Sequence, residues 1–242
     1  PAGLLMLIAG CGGLVGFVIR QRTIKEPLFQ VDLFMNNKVF ALSSAAALIH
    51  YSATFALAFL LSLYLQYLKG LDPRMAGTVL VAQPVMMALF SPFAGRLSDR
   101  VEPRIISSIG MAITCLGLLY FTFVSQGASL VVIVVVLMSL GFGFALFSSP
   151  NMNAIMGSVE RRYLGIASGS VGTMRVLGQM FSMGIAMLIL SLFVGGQAIS
   201  ADLYPDLLRS IRLTFGVFSV LCVIGIFASL ARGDIHTDDV GK

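Results

Sequence analysis

The ten residues Gly95–Arg104, GRLSDRVEPR, lie between two long apolar runs. They hold three arginines, an aspartate and a glutamate, in a chain of 242 residues that is only 11% charged and 57% hydrophobic. A water-soluble domain carries about 25% charged residues. A chain this poor in charge cannot cover a large core with a polar surface, so the class expected is a polytopic membrane protein. The mean hydropathy of +0.94 agrees. In such a chain a dense cluster of charge marks a loop outside the bilayer.

Outward from this loop, seven apolar runs reach or approach the ~20 residues that a transmembrane helix requires. They are residues 3–19, 39–67, 75–94, 105–124, 129–149, 166–194 and 211–231. Period-two alternation over ten-residue segments is absent, which argues against a transmembrane β-barrel. The expectation is an all-α polytopic membrane protein with seven transmembrane helices. The three cysteines, Cys11, Cys115 and Cys222, fall inside apolar runs without metal-ligand spacing and read as small buried hydrophobes. No basic n-region or cleavage site precedes the first run, so it is not read as a signal peptide.

The basic residues alternate between links. Arg20, Arg22, Lys25, Lys38, Arg96, Arg100, Arg104, Arg161, Arg162, Arg232 and Lys242 form one set, and Lys69, Arg74, Arg209 and Arg212 the other. The positive-inside rule places the first set in the cytoplasm, with the N-terminus of the chain outside and the C-terminus inside, in a plasma (inner) membrane. The net charge of +5 is thereby explained by topology. Scattered basic residues without interleaved aromatics do not form a nucleic-acid surface. Residues 20–38 are the longest polar connection and separate one isolated span, 1–19, from a six-span group at 39–232, followed by a polar tail at 233–242.

GRLSDRVEPR resembles the signature loop of the major facilitator superfamily, roughly G-x-L-a-D-r-x-G-r-[RK], at Gly95, Leu97, Asp99, Arg100 and Arg104. It departs where Glu102-Pro103 replaces the usual Gly-Arg. Its place after the second helix of the six-span group is that of the weaker copy in the C-terminal half. The stretch Phe144–Ala186, with Pro150-Asn151, a short basic link and ASGSVGTMRVLG, is similar to the fourteen-span drug:proton antiporter branch. So is PLFQVDLF, Pro27–Phe34. The resemblance implies one extra central helix (residues 1–19), a cytoplasmic linker (20–38) and the six-helix C-terminal transporter domain (39–232), with an N-terminal half outside this chain. It implies proton-coupled efflux of hydrophobic or cationic compounds by alternating access, with the proton gradient as energy source and no cofactor. It also casts Gly95, Asp99, Arg100 and Arg104 as a conformational latch.

Polar groups inside spans are costly and mark interior or cavity positions. Arg175 is the one basic residue deep inside a run, and helical spacing puts Ser168, Gly172, Gln179 and Ser182 on its face. Gly165, Gly169 and Gly172 offer close helix packing. His50 shares a face with Ser43, Ala47 and Thr54. As a cavity residue it would relay protons; as a core residue it would be satisfied by neighbours. Gln83, next to Pro84, with Met86 and Met87 beyond, reads either as an adaptable site for apolar substrates or as a kinked helix. Asn151 and Asn153 follow Pro150 and suggest either the end of the fifth span or gating at its inner mouth. Every acid lies in a link or the tail, so a coupling carboxylate would come from elsewhere. The substrate-cavity candidates are thus His50, Thr54, Gln83, Met87, Arg175 and Gln179.

Two other classes are weighed against a transporter. A self-contained seven-helix receptor or sensor has the same layout, but the last span offers no Schiff-base lysine and the chain has no Trp. An enzyme would need a metal cluster, a nucleophile elbow or paired intramembrane carboxylates, and none is present in the sequence. Neither catalytic nor metal-ligating residues are expected. The partners expected are the lipid bilayer, the other transporter half and a small-molecule substrate.

Overall fold

The computed structural model describes residues 31–195 and 199–233, with four isolated positions before them. The expected span at 3–19 and the tail beyond Gly233 lie outside these residues. Among the described residues nine α-helices follow one another: α1 Val31–Asn36, α2 Lys38–Thr54, α3 Leu57–Leu63, α4 Pro73–Leu80, α5 Ala82–Ser98, α6 Pro103–Thr122, α7 Leu130–Gly157, α8 Leu164–Phe193 and α9 Tyr204–Leu230. They merge into six membrane-length rods, because α2, α3 and a π-turn at Tyr64–Leu68 run on as Lys38–Leu68, and α4 and α5 as Pro73–Ser98. The protein is an all-α polytopic membrane fold.

Local chemistry sets the helix ends. Asn37 caps α2 by accepting the Phe40 N–H at 2.9 Å. Asp72 caps α4 by accepting the Met75 N–H at 2.7 Å, with Pro73 in the first turn where its missing N–H costs nothing. Pro103 opens α6 in the same way. The first rod ends on Gly70, whose φ of 67° is a left-handed turn that L side chains rarely adopt. The break between α4 and α5 at Val81 lies beside Pro84, which has no N–H to offer the Leu80 carbonyl.

α7 is the hub of one side, packed along α5 and α6. α9 joins α6 to α2, and α8 lies on α2 and α9. Several crossings are built on glycine. A Cβ on Gly110 of α6 would sit 2.6 Å from the Gly143 carbonyl of α7, and one on Gly178 of α8 would sit 2.6 Å from the Leu48 carbonyl of α2. Small residues let the backbones touch where lipid supplies no hydrophobic drive for association. Phe121, Phe215, Phe218, Leu118, Leu137 and Cys222 fill the interior between α6, α7 and α9. α5 and α8 bury least: 6% and 22% of their rods' apolar windows are covered, against 39–56% for the other four.

Side chains tie both ends. At one end Tyr64 Oη donates to the Ser125 carbonyl at 2.6 Å, Lys69 Nζ to the Gln126 carbonyl at 2.7 Å and Arg212 Nε to the Val124 carbonyl at 2.7 Å. At the basic end Asn37 Nδ2 donates to the Ser158 carbonyl at 2.5 Å. α7 continues through Pro150 to Gly157. Of the two readings of Asn151 and Asn153, helix termination or gating, termination is corrected: the helix carries on to Gly157, and both asparagines hydrogen-bond neighbouring helices.

Candidate functional site

Two recesses open on either side of His50. Helix α2 carries Ala47 and Tyr51 into the first, which has a volume of about 140 Å³ and is completed by Phe147, Ser148, Asn151 and Met152 of α7 and by Ser168, Val171, Gly172 and Arg175 of α8. Thr54 and Phe55 lead into the second, a recess of about 430 Å³ walled by Ala58, Leu80, Val81, Gln83, Pro84, Met87 and Phe144. Thr54, Gln83 and Met87, three of the sequence candidates, therefore meet in one mainly apolar recess. Arg175 lies in the other. Gln179 is half-buried and lines neither.

His50 stands between them, fully buried. Its ring stacks on Phe147 at a centroid separation of 4.0 Å and meets Phe144 edge-on at 4.7 Å. Phe147 walls the first recess and Phe144 the second, so the imidazole packs behind a wall residue of each and lines neither. Neither ring nitrogen has a hydrogen-bond partner among the described residues. The chain nearby is locally loosened: Thr54 Oγ1 back-bonds to the His50 carbonyl at 2.6 Å, and the Ala56 N–H leaves the helix ladder for Ser182 Oγ of α8 at 3.0 Å. Ser182 is thus buried against α2 while Arg175 is exposed, and the face read from helical spacing divides.

Arg175 lies about 16 Å along α8, which is thirty residues long, and so within ~7 Å of its midpoint. That is inside a ~30 Å hydrocarbon layer centred on the helix. Its guanidinium makes no ion pair or hydrogen bond to any described residue. Gly165, Gly169 and Gly172 face the same open side; a Cβ on any of them would meet nothing within 4 Å among the described residues. Among the described residues no neighbouring helix packs against these three glycines. Gly178, Gly110 and Gly143 make the close approaches, because they lie on faces turned into the bundle.

The GRLSDRVEPR loop closes the basic end of α5. Gly95 is still helical and brings α5 against α7, where a Cβ would come within 3.0 Å of Ser149 Oγ. Ser98 Oγ donates to the Gly95 carbonyl at 2.7 Å and accepts from Asn153 Nδ2 at 2.6 Å. Asp99 and Arg100 are exposed, line an open depression with Phe93 and Arg96, and make no ion pair among the described residues.

Sequence reasoning missed Arg232. It reads as a topological charge after the last span, yet only 1% of it is exposed. Nη1 donates to Asn151 Oδ1 at 2.7 Å and to Ser43 Oγ at 3.2 Å, and Nη2 to Ser107 Oγ at 3.1 Å. One guanidinium thus joins α2, α6 and α7 to the end of α9. Burial lowers its pKa to about 10, with Glu102 pulling it up and Arg104 pushing it down, so it is charged at neutral pH. Among the described residues no group of three or more His, Cys, Asp or Glu could hold a metal.

The Major Facilitator Superfamily profile matches residues 43–240. The "Uncharacterized transporter YebQ" of Escherichia coli (strain K12) is 30% identical over 190 residues, 78% of this chain and 40% of that protein. The "Riboflavin transporter RibZ" of Clostridioides difficile (strain 630) is 29% identical over 187 residues, 76% and 40% respectively. The "Multidrug resistance protein Stp" of Mycobacterium tuberculosis (strain ATCC 25618 / H37Rv) is 27% identical over 208 residues, 86% and 37%. The chain spans about two fifths of the length of these relatives. The profile covers all of the six-rod bundle but the first five residues of the first rod, and both recesses, and the chain belongs to the major facilitator superfamily of membrane transporters.

Proposed function

We propose that this chain is the C-terminal half of a secondary active transporter that exports hydrophobic compounds, multidrug type, by alternating access and at the expense of the proton gradient. The observation that carries the reading is Arg175. An unpaired guanidinium on an open face at bilayer depth costs several kcal/mol against lipid. It therefore faces water or another protein surface. A second transporter half laid on the open sides of α5 and α8 supplies both, and the greater length of the relatives leaves room for one. The second recess, with Gln83 and Thr54 among apolar and methionine walls, suits greasy substrates of varied shape. Among the described residues neither recess has an acid in its lining, so in this reading recognition of cationic compounds and the coupling carboxylate both fall to the other half. The unpaired Asp99 and Arg100 are the latch residues that meet it on the cytoplasmic side of the plasma membrane.

The experiment is proton-driven uptake of a hydrophobic dye into everted vesicles carrying the complete reading frame. Asp99→Asn is expected to slow uptake at least tenfold at equal protein level. Normal uptake by that variant sinks the latch, and uptake indifferent to the pH gradient sinks proton coupling.

A further inference from the structure

The recess on the α8 side of His50 has a different chemistry from its neighbour. Arg175 borders it with no partner among the described residues. The hydroxyls of Tyr51, Ser148 and Ser168 also line it and make no hydrogen bond to a described residue. Asn151 contributes an amide whose Oδ1 is held by Arg232 at 2.7 Å and whose Nδ2 spends one hydrogen on the Ser43 carbonyl at 3.1 Å. Its orientation is thereby fixed with a second N–H to spare. Behind it stands the buried Arg232 charge, so two guanidiniums bear on one small volume, and no carboxylate lines it.

We propose that this recess binds a carboxylate, with Arg175 as its counter-charge. The inference rests on the reading that this face lines a water-filled cavity between two halves. Every spare polar group named is a donor or can serve as one, which selects an anion. The guanidinium fork matches the planar, two-oxygen geometry of a carboxylate. A volume of about 140 Å³ is roughly four to five waters, enough for that group and its first carbons. The rest of the molecule projects through the open side. Apolar walls hold back solvent screening and strengthen the pairing. The carboxylate belongs either to an amphiphilic substrate or to an acidic residue of the other half.

The test uses the 242-residue chain in phosphatidylcholine nanodiscs, titrated with dansylglycine and with its neutral amide. The carboxylate is expected to bind at least tenfold more tightly than the amide. Arg175→Gln should bring the two within twofold, and Arg175→Lys should keep part of the preference. Because Arg175 is exposed, both variants should unfold at the parent temperature. Equal binding of the two probes, or a preference that survives Arg175→Gln, overturns the proposal. Repeating the titration on the complete protein separates the sources. Preference retained assigns the site to substrate. Preference lost, with Arg175→Gln now lowering the unfolding temperature, assigns it to an acid of the other half; preference lost without that change overturns it. Transport of both probes alike would keep the transporter reading and remove the site, whereas carboxylate preference in a complete protein that moves neither would keep the site and remove the transporter reading.

Discussion

Arg232 carries a full charge into a place that admits no water at its surface, and three helices supply its acceptors. Removing it leaves the Asn151 amide oxygen and two serine hydroxyls without their donor, and each such loss costs about 1–3 kcal/mol when buried. Arg232→Ala should therefore destabilise the bundle by roughly 3 kcal/mol, read as a lower midpoint of thermal unfolding in detergent; an unchanged midpoint would show the contacts to be idle. None of this is legible locally. Its partners lie 189, 81 and 125 positions away, and an arginine after a last span is what topology alone would place there. Arg175 is the opposite case, since a lone cation inside an apolar run announces itself. His50 was legible as a polar group in a span, but its burial against Phe144 and Phe147 depends on another helix.

Helices α2 to α9 follow the hydropathy of the sequence closely, because a run of about 20 apolar residues has few other ways to satisfy its backbone in lipid. The faces of those helices do not follow so readily. Glycines at 110, 143, 165, 169 and 178 look alike in the sequence, yet 110, 143 and 178 touch backbone across a crossing while 165 and 169 touch nothing among the described residues. Which is which is set by the rotation of each rod, and in spans that are apolar all round the sequence pattern scarcely encodes it. The contrast is measurable. Gly143→Ala forces its Cβ to 2.8 Å from the Gly110 carbonyl and should lower stability by about 2 kcal/mol. Gly169→Ala should raise that of the isolated chain by up to about 1 kcal/mol through helix propensity. Denaturant titration of the two variants checks both signs, and equal effects would mean that the crossings are looser than described.

At the scale of the whole molecule, both ends of the bundle are fastened by side chains that reach over loops: Tyr64, Lys69 and Arg212 at one, Asn37 and Arg232 at the other. Six rods fastened twice should move as one body, and under the alternating access proposed above that body would be displaced against the other half. Spin labels at positions 74 and 209, and at 96 and 162, all exposed, should keep their mutual distances within ~2 Å when substrate or a pH gradient is applied. Larger changes would place the motion inside the bundle. The architecture was legible at this scale from span count and the charged loop, whereas the unequal burial of α5 and α8 was not, since it records what lies beside each rod.

The break at Val81 has a consequence for how such a protein diversifies. Proline at 84 deprives the Leu80 carbonyl of its usual helical donor, and both residues border the larger recess. That main-chain oxygen lacks its i+4 donor whatever side chains surround it. Point substitutions at Val81, Met87 or Phe144 can reshape the walls across generations and retune which molecules fit, while this acceptor persists unchanged for as long as the proline does.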